Sequence, residues 1–291
     1  MDRMRKDYSI TELCEAFEVS ASGYFDHLGA TMGSRARANQ KLVAAIQTIH
    51  QHKHTRHYGS PRMTEELRAT GHACSENRVA RLMRQANVAA RPSRAFRPRT
   101  TVVDPDKRPA PNLLESDPTS TAPGQALVSD ITYVATKEGW LYLAITMDLF
   151  SRKIVGWSVD ETMKWTLVER ALRNAQKRGG VSAGGLYHSD RGSQYTSRGL
   201  REKLKNMGLR QSMSGKGHCY DNATCESFFA TLKREGFPED GVFESRQEAR
   251  QELFEYIEIF YNRKRRHSSL GNRAPEQFLQ KYFQETRPEL N

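Results

Sequence analysis

The segment that carries most information about this 291-residue chain is Gln125-Ala126-Leu127-Val128-Ser129-Asp130-Ile131-Thr132-Tyr133-Val134. Its β-branched and apolar residues predict a β-strand over 127–134. A turn at 137–139 and similar segments at 140–149 and 153–159 predict two further strands. Asp130 breaks the apolar pattern, because a carboxylate inside a buried strand is costly unless it is paired or binds a cation.

The residues that follow alternate between helical and strand patterns. Apolar spacing predicts helices over 163–178, 197–207 and 222–235, separated by short strands at 186–189 and 209–213. Three consecutive strands followed by alternating helices and strands are typical of an α/β domain. We therefore expect a mixed five-stranded sheet with an antiparallel edge and helices packed on it.

The residues before this domain are predicted to be all-helical. Two short helices at 9–17 and 20–25 are typical of a helix-turn-helix, with Ser9 and Glu12 as a capping box and Ser20 as a second cap. An ordinary helical hairpin remains the alternative, because this segment is acidic. Further helices are predicted at 38–50, 61–68 and 75–84. The expected domains are 1–34, 35–90, a Pro/Arg-rich linker 91–124, a core 125–240 and a helical extension 241–291.

The positive charge is concentrated in one part of the chain. The whole sequence has 45 Lys and Arg against 34 acids, and residues 35–99 alone contain 14 of these bases and 3 of the acids. Such a concentration favours a polyanion as partner, although solvated Arg-rich helices would give the same composition. The candidate contact residues are Arg62, Arg78, Arg81, Arg84, Arg94, Arg97 and Arg99.

Composition also excludes several classes of protein. No apolar run approaches the roughly 18 residues that a membrane span needs, and the N-terminus has no apolar signal core. Four cysteines without a C-x-x-C pair are neither a disulfide framework nor a zinc ribbon. We therefore expect a cytoplasmic protein. Four histidines (His50, His52, His54 and His57) suggest a metal site, but they fit a polar helix end as well.

Three acids stand where chemistry could use them. Asp130 lies inside the first strand, Asp190 directly follows the fourth, and Glu226 lies in the last helix, with 35 residues between the latter two. Converging carboxylates repel one another, and divalent cations remove that repulsion. Oxygen ligands favour Mg²⁺ or Mn²⁺, and two such ions are the recurrent arrangement for attack on a phosphodiester. Asp148 is the alternative acid, but an ion pair with Arg152 or turn capping explains it better.

These motifs resemble a known family. The segments 129–133, 188–195 and 221–229, with their spacing, resemble the DDE catalytic domain of transposases of insertion-sequence family three, related to the retroviral integrases. Segments 58–62, 78–83 and 261–271 resemble the same family, so the resemblance covers nearly the whole chain. It implies a ribonuclease-H-like core and an enzyme that binds terminal inverted repeats, cleaves a strand and transfers the freed 3′-hydroxyl.

The resemblance also assigns roles to residues. Asp130, Asp190 and Glu226 would be the catalytic metal ligands, holding two Mg²⁺ or Mn²⁺ ions. Lys233 and Asn222 share a helix face with Glu226, so Lys233 would touch the phosphates at the DNA end, while Asn222 or Asp221 would cap the helix. Lys216 would lie in a loop that grips the strand end, and Gln194 would contact DNA or serve in packing.

The resemblance leaves some alternatives open. Leu127 lies where the family usually has a tryptophan, and the leucine heptads and upstream helix-turn-helix of the fused family enzyme are missing. We therefore expect a downstream-frame product, or a variant that works without the fusion, that acts on transposon ends and target DNA as a dimer or larger synaptic complex, associated with the nucleoid. The upstream-frame protein would be a further partner. An inactive DNA-binding regulator and a structure-selective nuclease of the same fold are the rival interpretations.

Overall fold

This computed structural model of the chain describes residues 4–29, 33–90, 109–114, 120–215 and 223–286. The described residues form two compact units. Unit 1 contains those up to His50 together with Gly59–Ala89, and unit 2 contains Gln51–Tyr58 and the rest of the chain. Among the described helices, none has the length and apolar character needed to cross a bilayer.

Unit 1 is built from helices, as predicted for the N-terminal region. They are α1 (Ile10–Ala16), α2 (Ala21–Gly29), α3 (Ser34–Gln51), α4 (Ser60–Ala69) and α5 (Glu76–Gln85). The predicted capping box is present, because the Ser9 hydroxyl accepts the Glu12 N–H and the Glu12 carboxylate accepts the Ser9 N–H. Ser20 caps α2 by accepting the Gly23 N–H at 3.0 Å. Local side-chain caps thus set where both short helices begin.

Helix α5 is amphipathic, with Val79, Leu82 and Met83 buried. Ser75 caps its first turn by accepting the Arg78 N–H. The cationic residues at every third position lie off this buried face, which is why the helix can be both a core element and a basic surface.

Unit 2 is organised around a mixed sheet. Its strands are β1 (Ala126–Thr136), β2 (Gly139–Asp148), β3 (Ile154–Asp160), β4 (Leu186–Ser189), β5 (Arg210–Met213) and β6 (Val242–Phe243). The first five follow the order β3-β2-β1-β4-β5, with antiparallel β1–β2 and β2–β3 pairs and parallel β1–β4 and β4–β5 pairs. The prediction of a mixed sheet with an antiparallel edge is confirmed.

The sheet differs from the prediction by one strand. Val242 and Phe243 form β6, which pairs in parallel with the end of β1. Two residues are too short for a periodic signal, so this strand could not be predicted. Because β6 belongs to the sheet, the fold of the core continues past the predicted boundary at residue 240.

Helices α6 (Trp165–Lys177) and α7 (Arg198–Asn206) cover one face of the sheet. Their buried residues, including Leu167, Val168 and Leu204, pack with Leu127 of β1 and Tyr187 of β4. Helix α6 comes very close to β3 at Gly156, where a Cβ atom would lie 2.1 Å from the Ala171 carbonyl oxygen. Glycine at this position therefore lets the helix backbone rest directly on the strand.

Substituting Gly156→Ala should lower the free energy of unfolding by about 1–3 kcal/mol, because the new methyl group meets helix backbone rather than a movable side chain. Urea denaturation of the full chain would measure this change. Gly33→Ala is the matched control, since its Cβ would meet nothing within 4 Å. Equal stability of the two variants would show that α6 does not approach β3 this closely.

A segment of the predicted linker lies against the sheet. Pro111 accepts the Met213 N–H at 3.2 Å, and the Leu113 N–H donates to the Ser212 hydroxyl at 2.9 Å. Leu114 is buried. Residues 109–114 therefore cover the edge strand β5 instead of spanning open solvent.

The C-terminal part of unit 2 contains α8 (Ala223–Glu235), α9 (Arg246–Phe254), a π-helix (Glu255–Tyr261), a 3₁₀ turn (Ser268–Leu270) and α10 (Pro275–Thr286). A buried ion pair connects the last residue of α8 to this region. The carboxylate of Glu235 accepts two hydrogen bonds from the Arg265 guanidinium, at 2.7 and 3.0 Å, and a third from the Tyr256 hydroxyl at 3.0 Å. Both charged side chains are at most 4% exposed. The C-terminal end of α8 is thereby fixed.

Candidate active site

Two of the three predicted catalytic acids belong to neighbouring strands: Asp130 lies in β1, and Asp190 directly follows β4. Parallel strands β1 and β4 pair Ala126 with Leu186 and Val128 with His188. The pairing ends there, and extending its register by two residues would set Asp130 opposite Asp190. Both charges act on the buried Tyr195, so the sheet directs these two acids, 60 residues apart in the sequence, to one region of the domain.

Backbone hydrogen bonds orient both carboxylates. Asp130 Oδ1 accepts the Ile131 N–H at 2.7 Å, and Asp190 Oδ1 accepts the Gly192 N–H at 3.0 Å. A Cβ at position 192 would lie 3.1 Å from Asp190 Oδ1. Glycine at this position therefore leaves room for the Asp190 carboxylate in its turn.

Tyr195 lies beside both acids but cannot act as a nucleophile. Its side chain is 1% exposed and its hydroxyl lies 3.1 Å from the Ser129 hydroxyl. Burial raises the pKa of Tyr195 well above its ordinary value, and the charges of Asp130 and Asp190 raise it further. A phenol held neutral in this way makes a covalent tyrosine–DNA intermediate unfavourable. Tyr133, which lies further along β1, packs edge-on against Trp140 and Tyr142.

Helix α8 packs against β1 and contributes the other charged residues of the site. Burial raises the pKa of the Cys225 thiol, with further contributions from Asp130 and Glu226. Lys233 has its pKa lowered by burial, while the charge of Asp130 acts in the opposite direction. Asp130 is thus close to α8 on the sheet face opposite Leu127, as strand alternation requires.

The third predicted acid is not brought into one cluster with the other two. Glu226 is exposed in the first turn of α8. Among the described residues, no group of three His, Cys, Asp or Glu side chains is placed to hold a metal ion. Glu226 therefore lies on the helix that packs against β1, and this helix begins directly after residues 216–222, which lie outside the described part.

His188 has a structural environment. The side chain is fully buried, with Nδ1 at 2.8 Å from the Ser212 hydroxyl and Nε2 at 3.1 Å from the Ser214 hydroxyl. Both ring nitrogens thus have partners on β5 and on the residue that follows it. His188 is therefore a core residue whose two ring nitrogens are both hydrogen-bonded.

Asp148, the alternative acid, caps a turn. Its carboxylate accepts the Ser151 N–H at 3.0 Å, the Ser151 hydroxyl at 2.5 Å and the Gly124 N–H at 2.9 Å. The Arg152 side chain forms no ion pair with the Asp148 carboxylate. Instead, the Arg152 guanidinium donates to the Thr224 hydroxyl at 2.6 Å, in the first turn of α8. The Arg152–Thr224 hydrogen bond could not be predicted from the sequence, because no local pattern connects the turn after β2 to a helix 72 residues further on.

The predicted DNA contacts lie in several places. In unit 1, Arg84 is exposed, Arg81 donates to Gln85 at 3.2 Å, and Arg78 donates to Asn39 at 3.0 Å. Arg62 is half-buried in α4. In unit 2 the Gln194 side chain donates to the Met163 carbonyl at 3.1 Å, a packing role that leaves its DNA contact a prediction. Arg94, Arg97, Arg99, Lys216 and Asn222, as well as Asp221, lie outside the described residues.

Among the described residues, the histidines at 50–57 do not form a metal site. In unit 2, His54 is buried and its Nδ1 lies 3.0 Å from the Glu235 carbonyl oxygen, while its ring packs 4.8 Å from that of Phe260. Burial lowers the pKa of His54. The histidine thus serves in packing, at the C-terminal end of α8.

Family models match both units of the chain. An integrase core domain model matches residues 120–219, a second integrase core domain model matches 207–275, and an HTH-like domain model matches 37–96. The two core matches coincide with the mixed sheet and the helices that follow it.

Curated relatives match over most of the chain. The chain is 42% identical to the insertion element IS600 uncharacterized 31 kDa protein of Shigella sonnei, over 94% of this chain and 99% of that protein. It is 38% identical to transposase InsF for insertion sequence IS3A of Escherichia coli K12, over 97% of both. It is 42% identical to the transposase for insertion sequence element IS904 of Lactococcus lactis, over 78% of this chain and 89% of the relative.

Solved structures are more distant in sequence. The HTLV-2 integrase catalytic core domain, solved in complex with magnesium, matches with a TM-score of 0.40 and 14% identity over 55% of this chain and 99% of that one. A simian T-cell lymphotropic virus intasome chain matches with a TM-score of 0.46 and 13% identity over 76% of this chain and 70% of that one. On the sequence identities and the family models, this chain belongs to the transposases of insertion-sequence family three, which are built on an integrase core.

Proposed function

We propose that this transposase cleaves DNA at the terminal inverted repeats of its element and transfers the freed 3′-hydroxyl to target DNA, with Asp130, Asp190 and Glu226 as the ligands of divalent cations. The observation that carries the proposal is the Asp130–Asp190 pair. Asp130 lies in β1 and Asp190 directly follows the parallel strand β4, and both charges act on the same tyrosine, Tyr195. Because like charges repel, a cation held by both carboxylates would stabilise this arrangement.

The donor set fits a hard divalent cation. Asp130 and Asp190 offer carboxylate oxygens, and the glycine at position 192 keeps the turn around Asp190 open. All-oxygen ligation favours Mg²⁺ or Mn²⁺ over zinc. We assign two ions to the site, held by Asp130, Asp190 and Glu226. Bound there, they would polarise the attacked phosphodiester and lower the pKa of the attacking water or 3′-hydroxyl.

Glu226 lies in the first turn of the helix that packs on β1, and this helix begins directly after residues 216–222. We infer that DNA binding in this region brings its carboxylate to the other two. Lys233, seven residues further along α8, holds a positive charge near Asp130, where it would contact the phosphate at the DNA end.

The basic residues would supply DNA binding outside the catalytic centre. Phosphate and base contacts are assigned to Arg62, Arg78, Arg81, Arg84, Arg94, Arg97, Arg99, Lys216, Asn222 and Gln194. Strand transfer needs both ends of the element and the target at once, so we assign a dimer or a larger oligomer as the active form. The upstream-frame protein would be a further partner in that complex.

A strand-transfer assay with controlled metal tests this proposal. The full chain would be mixed with a labelled duplex that ends in the element's inverted repeat and with a plasmid target. We expect joined products with Mg²⁺ or Mn²⁺ and none after EDTA treatment, because the acids alone cannot activate the attacking hydroxyl. DNA binding measured by gel shift should survive metal removal, since cationic side chains carry it.

Each of the other outcomes overturns the proposal in a different way. Joined products of normal yield in EDTA would exclude metal-dependent chemistry. Binding to the inverted repeat without cleavage or joining, at any metal concentration, would indicate a DNA-binding regulator. Cutting of branched DNA without joining would indicate a structure-selective nuclease.

A further inference from the structure

The turn between β2 and β3 contains a residue with two unfavourable features. Arg152 has a φ of +60°, a left-handed conformation that costs a residue with a Cβ about 1 kcal/mol or more. Its guanidinium also lies at the N-terminal end of α8, where the helix dipole disfavours a cation. Local preferences are usually violated in this way at functional positions.

The turn that carries Arg152 is held rigidly from several sides. The Arg152 N–H donates to the Asp148 carbonyl at 2.8 Å, and its own carbonyl accepts the Tyr261 hydroxyl at 3.1 Å. The neighbouring Ile154 exchanges two hydrogen bonds of 3.0 Å with the Asn262 side chain. Asp148, Tyr261 and Asn262 are all buried. These hydrogen bonds therefore hold the backbone of Arg152 in place.

The side chain reaches the helix that carries Glu226. Arg152 Nη1 donates to Thr224 Oγ1 at 2.6 Å, and Thr224 is the second residue of α8. Glu226 follows two residues later. The hydrogen bond therefore joins the turn after β2 to the helical turn that contains Glu226.

We propose that Arg152 is a positioning residue for strand transfer, which fixes the first turn of α8 through Thr224 and thereby restricts the position of Glu226. The inference rests on the proposed function, because it concerns the third acid of that site. Arg152 does not touch the reacting atoms. It acts on Glu226 through the helix, as residues that orient metal ligands commonly do.

Four variants of the full chain test this role: Arg152→Ala, Thr224→Val, Thr224→Ser and the double variant Arg152→Ala/Thr224→Val. Arg152→Ala should lower the strand-transfer rate at saturating end DNA by about 10–100-fold, with little change in the KM for DNA. Thr224→Val should give a loss of similar size, because it keeps the shape of threonine and removes the accepting hydroxyl. Thr224→Ser should retain the wild-type rate. The double variant should lose no more than Arg152→Ala alone, since both changes remove one interaction.

Two controls separate this role from others. Arg198→Ala removes a 92% exposed guanidinium elsewhere in unit 2 and should leave the rate unchanged. Melting temperatures of all variants would show whether a rate loss simply follows unfolding. A salt-sensitive rise in KM with a normal saturated rate would instead make Arg152 a phosphate contact and overturn the inference. Additive losses in the double variant would also overturn it.

The failure of this inference is distinguishable from failure of the proposed function. If the wild type and Arg152→Ala both transfer strands with Mg²⁺ at the same rate, the proposed function is supported. The positioning role of Arg152 is then wrong. If the wild type transfers no strands with either metal, the proposed function itself fails.

Discussion

Asp190→Asn is expected to reduce strand transfer by about 10³-fold or more, equivalent to ~4 kcal/mol of transition-state stabilisation. Asparagine keeps the size of the side chain and an oxygen that can still accept the Gly192 N–H, so the turn after β4 should persist. The substitution removes the negative charge beside Asp130, and with it the reason for a cation to bind there. The dissociation constant for end DNA should stay within a factor of about three, because Asp190 is not one of the residues assigned to DNA binding.

The measurement is the joined product formed per minute with Mg²⁺, alongside a gel shift with the same DNA. Asp160→Asn is the matched control, since Asp160 is an acid of the same sheet that pairs with Arg170 on the surface. The Arg170 guanidinium lowers the pKa of Asp160 to about 2, so this acid is ionised at neutral pH. Wild-type transfer by Asp190→Asn, or an equal loss in both variants, would refute the assignment of Asp190.

Arg265→Met is expected to lower the free energy of unfolding by about 3 kcal/mol, because it leaves the buried Glu235 carboxylate without its main counter-charge. The loss should lie at the low end of the range for broken buried pairs. Tyr256 still donates to this carboxylate at 3.0 Å, and Arg234 still lies 3.1 Å from it. Urea denaturation monitored by circular dichroism would measure the change.

A second variant identifies the cause. Glu235→Met/Arg265→Met replaces both charges by apolar side chains and should recover most of the lost stability, because no buried charge remains. Arg198→Met, at an exposed ion pair, should have no measurable effect. If the double variant were less stable than Arg265→Met, the pair would be stabilising in itself, and burial of a lone charge would not be the explanation.

The two ends of α8 thus have separate anchors. Glu235 and Arg265 fix its C-terminal end in the helical extension, whereas Arg152 and Thr224 fix its first turn against the end of β2. Glu226 lies between them, near the N-terminal anchor. We therefore expect Arg265→Met to act mainly on stability and Arg152→Ala mainly on the saturated rate.

Local sequence signals were sufficient for much of this structure. Alternation in 127–134 predicted β1, and Ser9 with Glu12 predicted the start of α1, because both depend on near neighbours in the chain. Asp130 could be named as a candidate site residue because its carboxylate interrupts an apolar strand. Asp190 could be named because loops after strand ends commonly form sites.

Long-range contacts could not be predicted in the same way. The register that would set Asp130 opposite Asp190 follows from the β1–β4 pairing, which no local pattern specifies. The Arg152–Thr224 bond and the Glu235–Arg265 pair each join residues far apart in sequence, and charged residues in turns and helix ends ordinarily indicate solvent. These two interactions can be identified only in the folded structure, where the elements that carry them lie side by side.

The central claim is that Asp130, Asp190 and Glu226 hold the cations that drive strand transfer. A crystal structure of the full chain with inverted-repeat DNA and Mn²⁺, with anomalous scattering to locate the metal, tests it most directly. We predict anomalous peaks at coordination distance, roughly 2.1 Å, from the Asp130 and Asp190 carboxylates, with Glu226 moved into contact with the metal and the DNA end beside it. Ordered end DNA at this face without manganese between Asp130 and Asp190, or manganese bound by other side chains, would contradict the account.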